Sequence, residues 1–219
     1  METKDSKEPR LINSLYRMYL NIIRFMEYRQ YNAKTRQMTE DAFLKQLHLH
    51  EYALIDAVGM PESRIPNRNI FIFLVDESSE YGSAANKFEM LEYFIKKKKK
   101  EEVDVIVIAK SKPSIHLRKK IALMKKRKTN VYMYEYDNFK SVVPESPQVP
   151  KHEIAARAED TDAIKTILTD EKISDINQMP KIFESDIVAI WHGIKAGDVV
   201  KITGVSESAG ERMLYRLCI

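Results

Sequence analysis

Two short runs toward the C-terminal end of the sequence constrain its fold more than any other feature. Val199, Lys201 and Thr203 alternate with Val200, Ile202 and Gly204, so one run presents two faces at period two. Met213, Tyr215, Leu217 and Ile219 form a second alternating run. Between them, Ser206-Glu207-Ser208-Ala209-Gly210 has the composition of a turn. A strand as apolar as the second run is not expected to fray in water, so it should be pinned in a sheet, either its own or a partner's. Upstream, Gly193 and Gly197 suit tight turns in which positive φ costs little. Trp191, beside Ile187, Val188 and Ile190, fits either a core position or an interface anchor.

The first part of the chain has a different grammar. Ile12, Leu15, Tyr16, Tyr19, Ile22, Ile23 and Met26 fall on one helical stripe and predict an amphipathic helix over Arg10–Met26. A second helix is expected over Glu40–Leu49, with Thr39 as its cap. Wholly apolar, β-favouring runs follow at 70–75, 103–109 and 131–136, separated by helical patterns at 83–98 and 114–127. Strand, helix, strand, helix, strand at these lengths implies right-handed crossovers and a mostly parallel sheet. Residues 142–150 hold three prolines and read as a stiff extended linker. The expected organisation is therefore α/β, or α+β taken as a whole: an N-terminal domain over 1–143, a linker over 144–150, and a small α+β domain over 151–219. A short helix is expected at 159–168.

Charge divides the same way. Residues 1–143 carry 27 basic and 19 acidic side chains, a balance of +8, whereas 144–219 carry 9 and 13, a balance of −4. Opposite signs suggest a polyanionic partner for the first part and a protein partner for the second. No apolar run approaches the roughly 20 residues that span a bilayer. The opening METKDSKEPR has no apolar core of a secretory signal. The single cysteine, Cys218, lies in an apolar strand and is expected to be a buried, unreactive thiol.

The densest basic stretch is Lys110–Lys128, with nine Lys/Arg and no Asp or Glu. On a helix from Ser114, Arg118, Lys119, Lys125 and Lys126 project away from the Leu117, Ile121 and Met124 stripe. Such a face suits phosphates, and its binding would be salt-dependent and blind to sequence. A merely solvated helix face accounts for the residues equally well, and for Lys96–Lys100 the solvated end of a helix is the main reading. A metal-dependent nuclease is disfavoured. Asp76 would serve as a first acid, but Ile108-Ala109-Lys110 has isoleucine where the second carboxylate is needed. The histidines are scattered without a cysteine pair, and no metal, cofactor or phosphate-binding glycine loop is expected.

Several motifs in register carry a resemblance. Val149-Pro150-Lys151-His152, Met179-Pro180-Lys181-Ile182, Gly193–Ile202, Ser206–Gly210 and Tyr215-Arg216 together resemble the C-terminal assembly domain of the fifth subunit shared by eukaryotic RNA polymerases I, II and III, which has a small archaeal equivalent. Lys112-Pro113-Ser114 resembles the Thr-Pro-Ser turn of that family's N-terminal jaw domain, with lysine in place of threonine, and Asp76-Glu77 matches its Asp-Glu pair. The resemblance implies a non-catalytic subunit of a DNA-directed RNA polymerase, with a nuclease-like but inactive jaw. It implies sequence-independent contacts to downstream duplex DNA through Lys110, Lys112, Ser114, Arg118, Lys119, Lys125 and Lys126. It also implies docking on the largest subunit through Pro150, Lys151, His152, Ser206, Glu207, Ser208, Tyr215 and Arg216, although for Ser206, Glu207 and Ser208 a cap on their own turn is the commoner reading of the residues. Departures stand at Ile187, usually proline, at Ile190-Trp191, usually Arg-Tyr, and at Gly204, usually arginine. They suggest a remote lineage such as a large DNA virus, so the expected location is a nucleus, or a virion or viral factory. The rival readings are a nuclease-like DNA-binding protein and a free-standing basic adaptor.

Overall fold

The computed structural model describes residues 4–31, 37–49, 68–75, 102–109, 115, 119, 129–206 and 210–219. They fall into two compact units, Met1–Ser141 and Val142–Ile219.

In the first unit the helical stripe becomes α1 (Lys4–Tyr28), and α2 (Glu40–Leu49) follows. Tyr19, Ile22, Ile23 and Met26 are buried along α1, as are Met18 and Phe25 beside them. The Thr39 hydroxyl accepts from Ala42 N at 3.4 Å and so caps α2 as expected. Phe43 packs against Tyr16 and Tyr19, with ring centroids 5.4 and 5.0 Å away. The three apolar runs are β1 (Arg68–Val75), β2 (Glu102–Ala109) and β3 (Thr129–Glu135), all parallel in the order β1-β2-β3. Consecutive residues of β2, Val105 and Ile106, are both fully buried, which requires cover on both faces of the central strand. Arg29 stacks over Phe25 and Tyr132 and donates to the Tyr134 hydroxyl at 2.7 Å, tying the end of α1 to β3. The helices expected at 83–98 and 114–127 lie outside the described residues, apart from Ile115 and Lys119, which are helical and exposed.

The second unit begins with the proline-rich segment, which is not extended as anticipated. Val143–Glu145 forms a 3-10 turn with Pro144 in its first turn, where the missing N–H costs nothing, and Val149 N bonds Ser146 O. Next come β4 (Lys151–Ala156), α3 (Thr161–Asp170), the two-residue β5 (Lys181–Ile182), α4 (Ile187–His192), β6 (Val199–Ser206) and β7 (Gly210–Cys218). The sheet order is β4-β6-β7-β5, antiparallel except for the β5–β7 pair. The two alternating runs therefore form the expected hairpin, pinned in the unit's own sheet.

Both faces of that sheet are covered from within. Val199 and Leu217 join Ala156 and Met179 on one face, under Ala163, Ile164, Ile167 and Leu168 of α3. Val200, Ile202 and Cys218 join Ile182 and Ile194 on the other, against Ala189 of α4. Val199, Val200, Ile202, Leu217 and Cys218 are thus covered by α3 and α4, whereas Met213 and Ile219 stay exposed. Trp191 is fully buried, which settles it as a core residue.

Candidate functional site

The residues expected to contact DNA and partner subunits fall in both units. Of the basic set, Lys119 is helical and exposed. Lys110, Lys112, Ser114, Arg118, Lys125 and Lys126 lie outside the described residues, as does Asp76. Ile108, at the position where a nuclease would need a carboxylate, is fully buried. Among the described residues no cluster of three or more His, Cys, Asp or Glu is placed to hold a metal ion. No helix among them is long and apolar enough to cross a membrane.

Pro150, Lys151 and His152 are brought together at the start of β4. The His152 ring Nδ1 lies 2.7 Å from Pro150 O, and Lys151 pairs with Glu153 at 2.8 Å on the solvent side. That ion pair holds the Glu153 carboxyl below its usual range. His152 and Glu153 also act on His192 at the end of α4. Burial, assisted by the His152 ring, pushes the His192 imidazole down to about 4 against the opposing pull of Glu153. Ser206 is paired with Gly210 at the end of the hairpin, while Glu207 and Ser208 lie outside the described residues. Tyr215 is half-buried against the α3 cluster. Arg216 donates from Nη1 to Lys181 O at 3.3 Å and fastens β7 to β5 from the opposite face; its Nε is buried with no hydrogen-bond partner among the described residues.

One pair escapes sequence reading. Asp198 is only 2% exposed. Its Oδ2 accepts from Arg157 Nη1 at 2.8 Å and from Lys195 N at 3.0 Å, and its Oδ1 accepts from Ala158 N at 3.0 Å. The same guanidinium donates to Gly193 O at 3.1 Å. The backbone completes the knot: Cys218 N donates to Asp198 O, and Gly197 N to Cys218 O, each at 2.9 Å. A buried charge placed this way is satisfied on every side. It ties the end of β4, the 193–198 loop and the end of β7 into one rigid corner. Gly193 ends α4 in the left-handed region at φ 65°, as a helix C-cap glycine does. Gly197 has φ 90°, and a Cβ there would lie 2.8 Å from the Ala158 Cβ. At the other end of α4, the Asp186 carboxylate accepts from Val188 N at 2.8 Å. Asp186 is therefore the N-cap and Ile187 the first helical residue, a position that favours proline without requiring it. The departure at Ile187 leaves the cap intact. Burial, with Glu184, Asp198 and Asp186 nearby, pushes the Cys218 thiol up to about 11, so it is an unreactive core residue.

The family described as "RNA polymerase Rpb5, C-terminal domain" matches residues 142–218, a span that lies within the second unit. A "DNA-directed RNA polymerase subunit Rpo5" of Methanococcoides burtonii is 39% identical over 71 residues, which are 32% of this chain and 85% of that protein. The subunit of the same description from Methanosarcina barkeri is 45% identical over 71 residues, with the same coverage. The "DNA-directed RNA polymerases I, II, and III subunit rpabc1" of Dictyostelium discoideum is 39% identical over 71 residues, 32% of this chain and 34% of that protein.

Proposed function

Because this chain belongs to the family of non-catalytic DNA-directed RNA polymerase subunits that includes Rpo5 and Rpb5, we propose that its second unit docks it on the largest subunit while its first unit lines the jaw over downstream duplex DNA. The observation that carries the docking half is the position of the family match. It falls on residues 142–218, the unit with the acidic balance, and a relative of which 85% is matched bears the subunit's name. Pro150, Lys151 and His152 at the start of β4, Ser206, Glu207 and Ser208, and the Tyr215-Arg216 pair are the contact residues in this reading.

The DNA half rests on Lys119, helical and exposed within a run of nine cations from 110 to 128. Cations held on a helix neutralise backbone phosphates and release counterions, without reading base edges. This division of labour follows the two compact units, Met1–Ser141 and Val142–Ile219, with the 144–150 segment inside the second. The lineage reading, a polymerase carried by a large DNA virus, rests on Ile187, Ile190, Trp191 and Gly204.

Replacing Arg118, Lys119, Lys125 and Lys126 by alanine in the assembled polymerase tests the DNA contact. Affinity for duplex DNA is expected to fall alike for unrelated sequences. The slope of log affinity against log salt should shrink by about 0.9 for each phosphate that is no longer neutralised. An unchanged slope would show that the helix face is only solvated.

A further inference from the structure

We propose that the outer edge of β7 over residues 211–215 is completed by an extended segment of another polymerase subunit, which adds a strand to this sheet and sets acidic side chains against Arg212 and Arg216. The inference rests on the docking reading above and names the mode of docking.

Backbone alternation fixes which groups of β7 face outward. Cys218 N donates inward to Asp198 O, whereas Leu217 N and Ile219 N donate outward to Pro180 O and Ile182 O, each at 2.9 Å. β6 and β7 stay in one register from Val199–Leu217 to Ser206–Gly210. The N–H and C=O groups of residues 211, 213 and 215 therefore face outward, as those of Leu217 do. β5 covers that lane only opposite Leu217 and Cys218. Pro180 stops it there: the next ladder bond would run from the N–H of residue 180 to Tyr215 O, and proline has no N–H. Ahead of Pro180 the chain leaves the lane in the 3-10 turn Ile176–Gln178. Among the described residues no backbone bond reaches the outward groups of 211, 213 and 215. The opposite edge of the sheet is blunted by contrast. β4 follows Pro150, opens with the Lys151–Glu153 ion pair and carries a register irregularity between Ile154 and Ala156. Proline, charge and bulges are what keep an edge strand from pairing. The 211–215 edge has neither proline nor bulge, and its centre is Met213-Leu214-Tyr215. An open, regular, apolar edge takes an added strand, with main-chain bonds for affinity and alternate side chains for specificity.

The side chains beside the lane give the partner its sign. Those of an added strand alternate between the two faces of the sheet. On the α3 face they meet Met213, which is 59% exposed, and the half-buried Tyr215. On the α4 face they meet Arg212, Leu214 and Arg216. Arg212 is exposed, and Arg216 Nε is buried without a hydrogen-bond partner. Neither guanidinium is paired with a carboxylate among the described residues. Lys181 and Lys201, in register with Leu217 and Tyr215, add two further cations on the α3 face. The neighbouring acids do not offset them. Glu211 stands at the far end of the lane, and Asp175 caps the 176–178 turn. Glu184 and Asp186 act at Cys218, where β5 has already closed the lane. An edge so flanked takes a strand with acidic residues toward α4 and apolar ones toward Met213, and it repels a basic segment.

The test uses the full chain, tagged and purified with its polymerase from its native source, as wild type, Met213→Pro and Met213→Ala. Proline at 213 removes an outward N–H and leaves the bonds to β6, so the free variant should unfold within about 3 °C of wild type by Trp191 fluorescence. Met213→Pro is expected to retain roughly tenfold less polymerase after a moderate-salt wash, and Met213→Ala, which keeps the N–H, to stay within about threefold of wild type. In the wild type, amide hydrogen exchange at 211, 213 and 215 should be at least roughly tenfold slower in the polymerase than in the free chain. A photo-cross-linking residue at position 213 is expected to join a polymerase-subunit peptide carrying Asp or Glu. Full retention of Met213→Pro, or equal losses in the two variants, overturns the added strand while leaving the docking reading intact. If the proline variant unfolds early, the exchange measurement decides, and unchanged exchange at the three amides overturns the proposal. A cross-link to a basic segment, or to a second copy of this chain, overturns the proposed partner. Failure of the wild type to bring down polymerase overturns the docking reading itself.

Discussion

Asp198 is the residue on which the stability of the second unit turns, and Asp198→Ala is the perturbation that measures it. The substitution removes a charge-assisted bond to Arg157 and leaves the N–H groups of Ala158 and Lys195 without their acceptor. The charged bond is worth about 1.5–3 kcal/mol, and each orphaned donor costs about 1–3 kcal/mol if water cannot reach it. Water reaches some of these groups: the Arg157 side chain is 36% exposed and keeps its bond to Gly193 O. The net loss should therefore be about 3–5 kcal/mol, typical of breaking a buried ion pair from the carboxylate side. In a unit of this size that corresponds to a fall in Tm on the order of 12–40 °C. The chain supplies its own reporter, because its single tryptophan, Trp191, is fully buried in this unit. Urea titration of the full chain followed by Trp191 fluorescence should show a midpoint shift of about 2–4 M. Arg157→Gln should cost less, about 1.5–3 kcal/mol, because Asp198 retains two backbone donors. A loss below about 1 kcal/mol for Asp198→Ala would refute the view that this corner is held by the carboxylate.

Two further predictions follow from the same unit. His192 is held at about 4 in the folded state against about 6.5 unfolded, so between those values the unfolded chain binds the extra proton more readily. Stability should therefore be complete above pH 6.5 and decline toward pH 4 by about 1–3 kcal/mol; the urea midpoint against pH measures this, and His192→Gln should flatten the curve. The facing groups are His152 and Glu153, with Lys151 and Lys201 acting on Glu153, so an undiminished slope in the variant would move the effect to those residues. Gly197→Ala sets a Cβ against Ala158 at 2.8 Å on a backbone at φ 90°; a cost of about 1–3 kcal/mol is expected by thermal unfolding, and an unchanged Tm would show that the loop relaxes freely.

What the sequence reveals and what it conceals divide along a physical line. Periodicity exposes α1, the three parallel strands and the β6–β7 hairpin, because each buries a continuous apolar face or run. It misses β4, whose Lys151-His152-Glu153 start is polar at a sheet edge, and β5, which is too short to have a period. Period two shows that a strand has two faces but not what covers them, so the cover that α3 and α4 provide is not told apart from a partner's. The prolines of 142–150 suggest extension, although proline equally suits the first turn of a helix. Of the candidate site, the motif positions Lys151, His152 and Arg216 are legible through their resemblance to a family. Asp198 is not, since its partner Arg157 is 41 positions away and nothing in spacing joins them.

The place of β7 between β5 and β6 has a consequence for biosynthesis. Leu217 and Cys218 are among the last residues of the unit to leave the ribosome, yet between them they fill both of its apolar layers, and Cys218 donates and accepts the bonds that close the Asp198 corner. Until they emerge, α3 and α4 have no finished sheet to rest on. A nascent chain stalled or cleaved before Gly210 would display raw apolar surface to chaperones and proteases, so forms with a truncated second unit should not accumulate in the cell.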